Sequence, residues 1–165
     1  MKTCSRKNIR LQHAQPAFLW LLVRITFFVA SVPILMRLSM PALNRFLERR
    51  IAASVTAGAP SIEPDEIVRC VELILKLGSR LIRNRCLVRG VTLYYFLCRA
   101  GVPLTLCFGA RCKDGKLTEE VGHCWLEKDG KPFLEKGNPY EYSVRIYTLP
   151  LHPRVATDNT LTVAA

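Results

Sequence analysis

Three side-chain types stand in an order that could do acyl chemistry in this 165-residue chain: a thiol at Cys86, an imidazole at His123 and a carboxylate at Glu135. A thiolate attacks a carbonyl carbon, an imidazole moves the proton, and a carboxylate fixes the imidazole's tautomer. Asn84 to Gly101 reads as one helix, with Asn84 as its N-cap and Arg99 and Gly101 at its end, so Cys86 falls in the first turn. The free N–H groups and dipole of a helix N-terminus favour a thiolate. A plainer reading stands beside this one. Most cysteines fill cores, and a strand histidine next to a tryptophan is more often structural.

Holding these groups together takes a buried helix and a sheet. Leu87, Val88, Val91, Leu93, Tyr94, Phe96, Leu97 and Cys98 leave the Cys86 helix little polar face, which places it at the centre of its domain. After Gly101-Val102-Pro103 the pattern turns extended. We expect strands over 104–110, 121–127, 132–135 and 145–149, with turns at Lys113–Lys116 and Lys128-Asp129-Gly130. On the second strand His123, Trp125 and Glu127 share one face, Cys124 and Leu126 the other. The following hairpin has two possible registers. A three-residue loop pairs 127 with 131 and sets His123 opposite Glu135; a two-residue loop sets Glu135 opposite Cys124. If Glu135 does not orient His123, Glu127 and Asp129 are next in line.

The rest of the chain leads into this core. Residues 1–15 read as a loose basic tail. Residues 16–38 are strongly apolar, broken by Arg24 and Pro33, and fit a packed or partner-binding helix, a segment on a membrane surface, or a signal sequence. A short helix begins at Pro41, with Leu43, Phe46 and Leu47 as its stripe. Residues 52–64 read as a linker. A helix starting at Glu63-Pro64 carries the stripe Ile67, Cys70, Val71, Ile74 and Leu75. This divides the chain into a basic apolar segment (1–60), a catalytic domain (61–150) and a loose tail (151–165).

Of the net charge of +11, residues 1–60 hold +8, from nine basic residues against Glu48 alone. The basic balance therefore suits an anionic partner for that segment and excludes a nucleic-acid footprint over the whole protein. Seven cysteines, an odd number and several in apolar runs, fit a reducing compartment. No repeat and no glycine-rich phosphate loop occurs, and no cofactor is expected. A zinc site from Cys107, Cys112, His123 and Cys124 is a weak alternative, because adjacent His and Cys on a strand point to opposite faces.

Four stretches fall in the order of one family: Arg85-Cys86-Leu87-Val88-Arg89-Gly90, Cys98-Arg99-Ala100-Gly101-Val102-Pro103, Cys107-Phe108-Gly109-Ala110-Arg111 and Gly122-His123-Cys124-Trp125-Leu126-Glu127-Lys128-Asp129-Gly130. The chain resembles the transglutaminase-like leader peptidases of lasso-peptide biosynthesis, the type that forms the catalytic part of the microcin-processing B protein. The resemblance covers about residues 65–149. It implies an α+β, transglutaminase-like or papain-like cysteine protease core, with a central buried helix packed on an antiparallel sheet and apolar helices before it. It implies a Cys-His-carboxylate triad of Cys86, His123 and Glu135, the last a Glu where the family has Asp. The implied reaction removes the leader from a ribosomally made lasso precursor peptide. The implied partners are that precursor, a small leader-binding protein and a separate lasso cyclase, and the implied setting is cytoplasmic, with residues 16–38 as the candidate contact to the inner face of the membrane. A non-catalytic docking module on the same scaffold is the competing class, and it predicts an unreactive Cys86.

Overall fold

The computed structural model describes residues 16–56, 62–80, 82, 84–113, 116–117, 122–141 and 143–150. The expectations for the N-terminal tail and for 151–165, and parts of the strands and turns near 113–121, lie outside these residues. Among the described residues four helices come first: α1 (Pro16–Leu35), α2 (Met40–Thr56), α3 (Pro64–Leu77) and α4 (Arg85–Arg99). Five strands follow: β1 (Thr105–Lys113), β2 (Lys116–Leu117), β3 (His123–Lys128), β4 (Lys131–Phe133) and β5 (Ser143–Leu149). All pair antiparallel, with β1 between β3 and β5, β4 on the outer edge of β3, and β2 closing a short hairpin on the end of β1. The fold is α+β.

The central helix is α4. Val88 and every residue from Gly90 to Leu97 are buried, and α1, α2 and α3 all pack on it. Phe28 of α1 stacks on Tyr95 with ring centroids 4.3 Å apart and meets Phe96 edge-on at 5.5 Å. Such a ring pair adds about 1 kcal/mol beyond the area it buries. Leu106, Cys124, Leu126 and Leu149 present one sheet face to this core. α3 starts as expected, with Pro64 in its first turn and Asp65 and Glu66 at the positive end of its dipole. α2 is longer than the short helix read from its stripe. It runs to Thr56 because Ile51 and buried Ser54 continue the inner face, and Ser54 Oγ donates to the carbonyl of Ile51.

One local reading is corrected, and one that the sequence left open is decided. Asn84 is the N-cap of α4, but its side chain makes no capping bond. It takes the left-handed conformation (φ 53°), and its carbonyl accepts from the N–H of Val88. Asn tolerates that conformation better than most residues, so the same residue type marks the boundary by another route. The β3–β4 hairpin uses the two-residue loop: Lys128 pairs with Lys131. Asp129 (φ 52°) and Gly130 (φ 73°) are both left-handed, the geometry whose twist matches a two-residue hairpin.

Candidate active site

Cys86 is the second residue of α4 and is half-buried. Four residues on, Gly90 shares its helix face. That face rests directly on β3: a Cβ at Gly90 would lie 2.7 Å from the sulfur of Cys124 and 3.2 Å from Leu106 Cδ1. A glycine inside a helix costs about 1 kcal/mol against alanine, and here it allows backbone and strand to meet. Burial pushes the Cys124 thiol well above its ordinary value, and the nearby Cys86 adds to the push.

His123 opens β3 on the face of Trp125 and Glu127, its ring stacked on Trp125 at 5.7 Å. Cys124 and Leu126 point to the α4 side. In the hairpin register Glu135 would stand opposite Cys124, but β4 ends at Phe133 and Leu134 is left-handed (φ 58°), which takes Glu135 off the strand. Its Oε2 lies 4.0 Å from His123 Nε2, and both side chains are 14% exposed. Its Oε1 accepts from Arg89 Nη1 at 3.2 Å. Arg89 is the residue before Gly90, one turn along α4 from Cys86. It also pairs with Glu72 of α3 at 2.7 Å and donates to the carbonyl of Leu134 at 2.9 Å. Burial pushes the Glu135 carboxyl above its ordinary value; the Arg89 charge and hydrogen bond pull it down without cancelling this, and Glu72 adds to the rise.

The other two carboxylates considered for His123 have different work. Glu127 is buried and accepts from Trp125 Nε1 at 2.9 Å, from the Tyr140 hydroxyl, and from Arg145 Nη1 at 3.3 Å. Burial alone would raise its carboxyl, but the donors Tyr140, Trp125 and Cys107 and the Arg145 charge outweigh it, so the carboxyl is held below its ordinary value. Asp129 is a turn residue. Cys107 shares the Glu127 face and is pushed up by burial, so it and Cys124 lie on opposite sides of the sheet. Among the described residues no group of three His, Cys, Asp or Glu side chains could hold a metal ion.

The residues missed from sequence are Arg89, Glu72 and Gly90. A glycine in mid-helix was the available signal for a close approach. Arg89 gave none, because a charge on a helix usually faces water. Among α1, α3 and the start of α4 lies an apolar groove of about 760 Å³, lined among others by Val29 and Pro33 of α1, Leu77 of α3, and Asn84 and Leu87 at the N-terminal end of α4.

The family model of the transglutaminase-like superfamily matches residues 28–148, from within α1 to within β5. No curated protein and no solved structure matches the chain.

Proposed function

The chain belongs to the transglutaminase-like superfamily, and from that premise we propose that it is a cysteine peptidase with Cys86 as nucleophile, His123 as base and Glu135 as orienter. One observation carries the reading. The Glu135 carboxylate reaches toward the His123 imidazole while held by Arg89, one turn from Cys86. The carboxylate thus links the strand that bears the base to the helix that bears the thiol.

In this mechanism Nε2 of His123 faces Glu135, and the imidazole, carried by the first residue of β3, reaches past the strand end to take the proton of the Cys86 thiol. The thiolate adds to the scissile carbonyl carbon, and first-turn N–H groups of α4 stabilise the developing oxyanion. The C–N bond breaks, the imidazolium protonates the leaving amine, and water hydrolyses the thioester to restore the thiol.

We infer further that the substrate is the leader-bearing precursor of a lasso-type peptide, presented by a small leader-binding protein and passed to a cyclase. The support for this is the sequence resemblance around Cys86 and His123. The test is reconstituted cleavage of such a precursor with its leader-binding protein. Cys86→Ala and His123→Ala are expected to abolish cleavage, and Glu135→Ala to slow it about tenfold or more. Normal turnover by Cys86→Ala protein would rule out the mechanism. Cleavage of generic peptides but not of the precursor would leave the peptidase and remove the pathway.

A further inference from the structure

We propose that α1 docks the protein on an anionic lipid surface, lying in the headgroup plane with its outer face inserted and not crossing the bilayer. By length and composition, Phe18–Leu35 could cross a membrane. One face of the helix is already committed to the core. Leu21, Ile25, Val29 and Val32 are buried, and Phe28 stacks on Tyr95. Crossing would strip these from α3 and α4 and uncover the helix that carries Cys86.

The other face is bare. Leu19, Trp20, Val23, Phe27 and Ile34 are 55%, 63%, 44%, 74% and 67% exposed. At the helical spacing they fall within one arc of about 100°. Single exposed apolar residues are ordinary, but a continuous stripe marks an interaction surface. A stripe of Leu, Ile, Phe and Trp suits insertion at the headgroup boundary.

Charge identifies the occupant. Arg37, exposed, follows the last turn of α1. On α2 the exposed Arg45, Arg49 and Arg50 line a groove with Ala42 and Phe46. Glu48 is the only acid in the first sixty residues of the sequence. These cations belong to the same basic segment of the chain as the apolar stripe, and that combination complements an anionic leaflet. A second copy docked through this segment would oppose the same cations to each other, which disfavours self-association.

The test uses the full chain with vesicles of neutral phosphatidylcholine, and with vesicles in which about a third of the lipid is phosphatidylglycerol. Co-sedimentation and tryptophan emission are read together. Trp20 is exposed and Trp125 fully buried, so a blue shift reports insertion of Trp20. The expected result is salt-sensitive binding to the anionic vesicles with a blue shift, and little binding to the neutral ones. Phe27→Glu should weaken that binding about tenfold or more, with thermal unfolding little changed because Phe27 is largely exposed. No binding, equal binding to both vesicles, or no effect of Phe27→Glu would overturn the proposal. Self-association in vesicle-free solution that Phe27→Glu abolishes would also overturn it. So would bound protein that only detergent, and not high salt, releases.

Discussion

Glu135 lies between a cation and an imidazole, and burial set against the cation decides its protonation. Burial raises its carboxyl and Arg89 pulls the other way. Removing the guanidinium by Arg89→Gln lifts the downward pull, so the carboxylate protonates at a higher pH. The acid limb of the cleavage profile should then move up by about one pH unit. A limb that stays in place would mean that Glu135 does not control it. Cys86 and His123 stood out in the sequence because their residue types and local elements suffice to nominate them. Glu135 could be nominated but not placed, since its approach depends on the left-handed Leu134 that ends β4. Arg89 was invisible as a clamp: its partners Glu72 and Glu135 are 17 and 46 residues away in the chain.

Helix α4 and strand β3 meet at Gly90, and the fit is close enough to test. In Gly90→Ala the gain in helix propensity is about 1 kcal/mol, but the new methyl meets the Cys124 sulfur at 2.7 Å. Overpacking costs about 1–3 kcal/mol, so the variant should unfold at a lower temperature. Adding Cys124→Ala removes the clashing sulfur, and the pair should lose less stability than the two single losses combined. Simple additivity would mean that helix and strand do not press on each other there. The periodicity of α3 and α4 was legible, because each buries one stripe or its whole girth. The hairpin register was not, since Asp-Gly serves loops of two and of three residues and only the twist of the assembled strands selects between them.

Across the whole molecule the sheet has two different faces, and the one away from α4 is held by a buried carboxylate. The Glu127 carboxyl is held below its ordinary value when folded. Its stabilising effect is therefore present above the unfolded pKa and lost as pH falls through the lower folded value. Glu127→Gln should lower the melting temperature at neutral pH and flatten its fall in acid, as thermal unfolding followed from neutral pH into that range would show. An equally steep fall in the variant would place the acid sensitivity elsewhere. The α+β arrangement could be read from the change of period after Pro103. What covers the outer sheet face could not: Tyr140 and Arg145 reach Glu127 only through the return of β5 to β1. The mechanism itself requires a reactive sulfur at the head of α4, activated from β3. Four other thiols, Cys70, Cys98, Cys107 and Cys124, are pushed up by burial. The direct measurement is iodoacetamide labelling at about pH 6, with residue-resolved mass spectrometry, on the wild type and on His123→Ala. Cys86 should be modified about tenfold or more faster than those four, and His123→Ala should erase most of that lead. A Cys86 as slow as the buried thiols, or equally fast without His123, would contradict the account.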